Sequence, residues 1–262
     1  MLFELVYSNI YGGDMKKGEI VAIFVILICI FSGIYFTKNK NENDENYYNY
    51  EKDIVLSDDT SSDSDTSSEN VVNTLRKKYD NNDIVAELRI GNTNFKTPIP
   101  QSTDNNYYYR RLPNKKHSII GSTYLDYRTK INRDRVLIIY GHNSLKYNMP
   151  FKILENYYDE DYQKDHKYIE LITENEVKLY EVFSVFVETN DYSYYTDIEF
   201  SSNDEFYRHI TKLKNKSFYN TNVELSKNDN ILILQACSTH EKYKKYKRKF
   251  VLIISREVKE YE

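Results

Sequence analysis

The sequence predicts a mainly β domain, a closed or nearly closed barrel with short helices, behind one N-terminal transmembrane helix. Three observations carry this. Short β-branched or aromatic runs recur through the second half, at Arg135–Tyr140, Ile231–Leu234 and Phe250–Ile254, and are too short for buried helices. Few helical patterns separate them, which fits a barrel better than a doubly wound sheet. One uncharged run, Ile20–Phe36, stands alone near the N-terminus.

That run spans 17 residues, close to the minimum for crossing a bilayer. Lys16 and Lys17 precede it, Lys38 and Lys40 follow, and no A-x-A-like cleavage site ends it. The expectation is an uncleaved anchor over 20–37 behind a cytoplasmic stub, 1–19, with translation starting at Met15. Residues 38–70 are rich in Asn, Asp, Glu, Ser and Thr and cannot bury enough surface to offset ordering entropy, so they read as an acidic tether. The folded domain is expected over 71–262.

Within it, Val71, Val72, Leu75 and Tyr79 have helical spacing. The stretch DIVAELRIGNTNFKTPIPQ reads as a strand, a turn at Gly91-Asn92 and an extended piece stopped by Pro98 and Pro100. Pro113 and Gly121 split the next, tyrosine-rich region. Arg135–Tyr140 is a buried strand running into Gly141-His142-Asn143, and Met149–Leu154 opens a helical turn. Tyr168–Thr173 and Val177–Val187 form a hairpin about Glu174-Asn175-Glu176. Ser202 and Glu205 have capping-box spacing before Phe206, Ile210 and Leu213, a one-sided helix. Two buried strands then enclose Cys237, placed just past the end of the first.

The net charge of −4 gives no reason to expect a nucleic-acid partner. Two cysteines, Cys29 and Cys237, cannot build a disulfide framework. Cys237 is the only plausible nucleophile, with the basic run Lys242–Lys249 nearby to favour its thiolate; the competing reading is an inert buried thiol. Of five histidines, His142 alone follows a buried strand and a glycine; His117, His166 and His209 read as surface groups. Cys237-x-x-His240 lacks a second ligand pair, so no metal is expected.

VLIIYGHNS with His142, ILQACST with Cys237 and KRKFVLI with Arg248 resemble the His, Cys and Arg motifs of the sortases, closest to the class B branch. IGNTNFKTPIPQ, GSTYLDYR, HKYIELIT, YEVFSVF and EFSSNDEFYRHI resemble class B sequences in the same order, so the likeness covers about Val71–Val258. It implies an eight-stranded β-barrel and a membrane-anchored cysteine transpeptidase on the outer face of a Gram-positive cell, with no cofactor. Cys237 would attack a threonine carbonyl in the C-terminal sorting motif of a surface protein. The resulting thioacyl-enzyme would pass to a cell-wall peptidoglycan amine. His142 would serve as general acid and base, and Arg248 would hold the oxyanion. Tyr194, Tyr195 and Ser238 are the candidate substrate contacts.

Two departures stand out. The usual Thr-Leu-x-Thr-Cys run reads Ile233-Leu234-Gln235-Ala236-Cys237, and Lys249 occupies the place before the apolar strand where the family has arginine, with Arg248 one residue earlier. A bulge would restore Arg248 to the site, and lysine offers no planar fork in exchange. The departures keep two alternatives open: a catalytically impaired relative that binds surface proteins, and a membrane-anchored thiol protease.

Overall fold

The computed structural model describes residues 22–35, 37–38, 68–189 and 194–259. The expected start at Met15, the stub 1–19 and nearly all of the tether 38–70 lie outside them. Residues 22–35 form a helix whose Phe24, Ile28 and Phe31 are exposed. Among the described residues no helix is long and apolar enough to cross a membrane, so the spanning helix expected over 20–37 is not borne out. The described part is shorter than the uncharged run.

The described residues from 68 onward form a compact unit of their own. It opens with helix α1 (Ser68–Tyr79). Strands β1 (Ile84–Ile90), β2 (Lys96–Pro100), β3 (Tyr124–Leu125), β4 (Val136–Tyr140), β5 (Tyr168–Thr173), β6 (Val177–Glu188), β7 (Ile231–Cys237) and β8 (Phe250–Val258) then form one sheet ordered β2-β1-β5-β6-β8-β7-β4-β3. The two edges meet without ladder pairing: the Thr97 and Thr123 hydroxyls lie 2.9 Å apart, and Thr123 donates to Pro98 O at 3.1 Å. This is a nearly closed eight-stranded barrel.

Alternation explains the continuous apolar runs. Leu137 and Ile139 on β4, Leu232 and Leu234 on β7, and Val251 and Ile253 on β8 join a cluster to which all eight strands contribute, the barrel interior. Val136, Ile138, Ile231, Ile233, Leu252 and Ile254 point outward instead. Helix α3 (Asn203–Lys214) covers them with Phe206, Ile210 and Leu213. A strand buried on both faces has no polar face to show. Burying those three helix side chains contributes about 1.5–3 kcal/mol each.

The helix starts where expected, Ser202 Oγ accepting from Glu205 N at 3.1 Å, but the Glu205 carboxylate reaches back to Ser201 N at 2.7 Å rather than to the cap residue. The proline reading needs a larger correction. Pro100 ends β2 as read, but Pro98 lies inside it, because β2 is an edge strand and a missing N–H on the open side breaks no ladder bond. The Tyr168–Thr173 strand and its hairpin turn occur as read, Thr173 N donating to Glu176 O at 2.9 Å. The turn after Met149 is a longer 3-10 helix, Pro150–Tyr158, followed by helix α2 (Glu160–Asp165).

Candidate active site

β4 and β7 are the sheet's parallel pair, with Tyr140 opposite Gln235. Gly141 N extends the pairing by donating to Gln235 O at 2.9 Å. Parallel strands end at the same rim, so counting two residues past that match places His142 and Cys237 side by side. They line one pocket of about 370 Å³, together with Asn105, Asn106, Tyr109, Tyr124, Tyr140, Gly141, Gln235 and Phe250. Cys237 is the last residue of β7 rather than one beyond it, paired with Phe250 of β8, and it is exposed. That exposure is not what the buried-thiol reading expects.

Two glycines let His142 sit where it does. A Cβ on Gly141 would come within 2.5 Å of the Phe151 ring. Gly121, at φ +62°, packs beneath the imidazole, and a Cβ there would lie 2.8 Å from His142 Cδ2 and closer still to Tyr109 O. Tyr109, on the 3-10 turn Tyr108–Arg110, meets His142 ring to ring at 4.5 Å between centroids. Its carbonyl lies 2.8 Å from His142 Nε2. A carbonyl only accepts, so Nε2 carries the proton and Nδ1 is the free base of the neutral ring. Asn143 closes the arrangement, donating from Nδ2 to Cys237 O at 3.0 Å and so tying the histidine loop to the cysteine strand.

Burial lowers the pKa of His142, opposed by the bond to Tyr109 O and reinforced by the charge of Arg110. Desolvation raises the pKa of the Cys237 thiol, and the positive charge of Lys249 pulls the other way without prevailing. Both shifts favour the uncharged forms, so the empty site at neutral pH holds a thiol beside a neutral imidazole. A thiol and a neutral imidazole lining one pocket are the residue types that acyl transfer uses.

The remaining sequence candidates fall elsewhere. Arg248 is exposed and outside the pocket lining, on the approach to β8. Lys249 is half-buried, and its carbonyl accepts from Ser238 N at 2.8 Å. Ser238 is buried, its hydroxyl 2.7 Å from Tyr158 OH. With Thr239, whose N–H and hydroxyl both bond the Glu155 carboxylate, it anchors the turn after the nucleophile to the 3-10 helix. Tyr195 is buried in the outer cluster under α3, and the Tyr194 side chain lies outside the described residues. His240 caps the short turn Glu241–Tyr243, Nδ1 accepting from Lys242 N at 3.1 Å. His117 is exposed as read, but His166 and His209 are half-buried against Tyr162 and Phe200.

Sequence reasoning missed Tyr109, Gly121, Asn143 and Tyr140. Tyr140 donates to Asp126 Oδ2 at 2.8 Å, and Asp126 is buried and clasped by Arg128 at 2.7–3.2 Å, fixing the strand end that leads into Gly141-His142.

No family model matches the chain. Among curated proteins it is similar to sortase B of Listeria monocytogenes, 31% identical over 234 residues that cover 87% of this chain and 92% of that relative. A solved structure of sortase B from Listeria monocytogenes, 30% identical, matches 70% of this chain and 98% of its own with a TM-score of 0.60. A sortase B complexed with triglycine, 23% identical, shares the fold at a TM-score of 0.68, over 85% of this chain and 100% of that one.

Proposed function

This chain belongs to the class B sortases, which makes it a transpeptidase, and from that premise we propose how its residues carry the reaction. Cys237 Sγ attacks the threonine carbonyl carbon of a sorting motif while its proton passes to His142 Nδ1. The tetrahedral oxyanion meets positive charge from the Arg248-Lys249 pair at the entry to β8. The resemblance favours Arg248 for this role, and the effect of Lys249 on the thiol favours Lys249. Collapse breaks the threonine C–N bond, His142 returns the proton to the leaving amine, and a thioester remains on Cys237. An incoming cell-wall amine attacks the thioester carbonyl and gives a proton to His142, the C–S bond breaks to release the joined product, and His142 returns the proton to the Cys237 sulfur. The proton count returns to its start, and no cofactor takes part.

The observation that carries this reading is the juxtaposition of His142 and Cys237 in one pocket by the parallel β4–β7 register. A catalytic domain on the extracellular face belongs to the same proposal and rests on the resemblance of VLIIYGHNS, ILQACST and KRKFVLI to the sortases. The deciding experiment is mass spectrometry of the soluble domain with threonine-containing sorting peptides. A thioacyl adduct absent from Cys237→Ala, and converted to a ligated product by triglycine, is the expected result. Adduct that only hydrolyses would mark a thiol protease, and no adduct in a folded, alkylatable protein would mark a binding relative.

A further inference from the structure

Three residues follow the nucleophile, and the 3-10 helix Pro150–Tyr158 holds each of them. Glu155 accepts from Thr239 N and from Thr239 Oγ1, both at 2.5 Å. Tyr158 OH lies 2.7 Å from Ser238 Oγ, and its ring meets His240 edge-on at 4.9 Å between centroids. The helix is itself fixed, because Phe151, Leu154 and Tyr157 are fully buried in the barrel interior. A half-buried carboxylate on such an element, taking both donors of one residue, is a rigid clamp. It sits where the sheet would otherwise loosen. Cys237–Phe250 is the last pair of the β7–β8 ladder, and Ser238 N on Lys249 O, at 2.8 Å, is the bond beyond it. Residues 241–248 then run mostly exposed through the short turn Glu241–Tyr243. Ladder ends open at little cost, and this one carries both the sulfur and the cations at the entry to β8.

We infer that Glu155 is a positioning residue for the reaction: its grip on Thr239 keeps the β7–β8 ladder closed at the nucleophile, and so keeps the Arg248-Lys249 pair at working distance from Cys237. This rests on the transpeptidase reading above and adds what holds the cations in place. Glu155 acts through the chain rather than by its charge, since among the described residues the ionic influence on the Cys237 thiol is that of Lys249. Removing a carboxylate from this rim would, by charge alone, favour the thiolate. Releasing the clamp withdraws Lys249 and disfavours it. The two effects have opposite signs, so the thiol itself reports which one operates.

The test uses the full chain, with iodoacetamide modification read on the peptide carrying Cys237 because Cys29 is also a free thiol. Glu155→Gln keeps the length and one acceptor but sets an NH2 group against a donor of Thr239. Alkylation at pH 7 should slow by about 1.5- to 5-fold, as for Lys249→Ala, and combining the two substitutions should slow it no further. Transpeptidation kcat/KM per folded molecule should fall by about tenfold or more. Thr239→Val, which deletes the hydroxyl donor alone, should reproduce part of both losses, and Thr239→Ser should keep wild-type values. Alkylation that quickens or holds steady in Glu155→Gln, slowing that multiplies with that of Lys249→Ala, or a kcat/KM loss equal to the unfolded fraction overturns the inference and leaves the transpeptidase intact. A wild type that transfers no peptide overturns both.

Discussion

Replacing Gly121 by alanine perturbs the histidine without touching the cysteine. The residue sits at φ +62°, where a side chain costs about 1–2 kcal/mol. The new methyl also meets Tyr109 O and His142, whose Cδ2 and Nε2 lie 2.8 and 3.0 Å from the Cβ position, an overpacking cost of about 1–3 kcal/mol. The total is about 2–5 kcal/mol. One neighbour must yield. The Tyr108–Arg110 turn is held by Ser122 N on Tyr108 O at 3.0 Å, Ser118 N on Arg110 O at 2.9 Å and Tyr108 OH on Asp83 at 2.6 Å. The imidazole has no comparable backbone hold, so it swings and loses its bond to Tyr109 O. Turnover should then fall by about 10²–10⁴-fold, the value of a positioned acid-base group, beyond what the unfolded fraction explains. Cys237 should still react with iodoacetamide in the folded protein at close to the wild-type rate. Urea melts, transpeptidation kinetics and alkylation rates on the same preparation separate these effects. A variant with wild-type kcat/KM, or one whose activity loss matches its unfolded fraction, would refute the account of how His142 is held.

The paired pKa shifts predict a broad bell for kcat/KM, with its acid limb below the ordinary histidine value of about 6.5 and its alkaline limb above the ordinary thiol value of about 8.5; limbs inside those values would contradict it. Stability follows the same window. Lowering His142 makes the unfolded chain bind more protons as pH drops through about 6.5, and raising Cys237 makes the folded chain hold more as pH climbs past about 8.5. Melting midpoints should therefore decline on both sides. Lys249→Ala should raise the Cys237 pKa further and slow alkylation at pH 7 by about 1.5- to 5-fold, as expected for a partly exposed charge; an unchanged rate would remove Lys249 from the site's field, and Arg248→Ala run beside it decides which cation the acylation step needs. Asp126→Asn should cost about 2–4 kcal/mol in urea melts, discounted because Arg128 is about a third exposed. Burial pushes the Asp126 carboxyl up, but bonds from Arg128 and Tyr140 outweigh it and hold the pKa below the usual carboxylate value. Its contribution is thus complete above about pH 3.9 and lost as pH falls through the lowered value, so the variant's deficit should shrink in acid.

Much of this was legible in the sequence. Arg135–Tyr140, Ile231–Leu234 and Phe250–Ile254 announced strands because helix α3 covers their outer faces, leaving no polar alternation. His142 and Cys237 each follow such a run, so each could be singled out alone. What brings them together, the parallel register of Tyr140 with Gln235, is a long-range pairing that no local pattern encodes. Tyr109 acts through its backbone carbonyl, to which its side chain gives no clue. Gly121 looked like punctuation because a positive φ and a neighbouring imidazole are tertiary facts. The side of β8 that faces the thiol was hidden for the opposite reason, since a strand apolar on both faces carries no record of its own register.

The sheet order also bears on how the enzyme comes into being. β7 and β8 lie between β6 and β4, so the final hairpin is inserted into a gap rather than added to an edge. Until those last residues leave the ribosome, β6 and β4 each present an open edge, a state prone to slow, non-local closure and to sticking to other chains. The same insertion carries the thiol to the imidazole. On the proposed mechanism, reactivity toward peptides is withheld until β7 and β8 are in place, and appears as that seam of the barrel is filled.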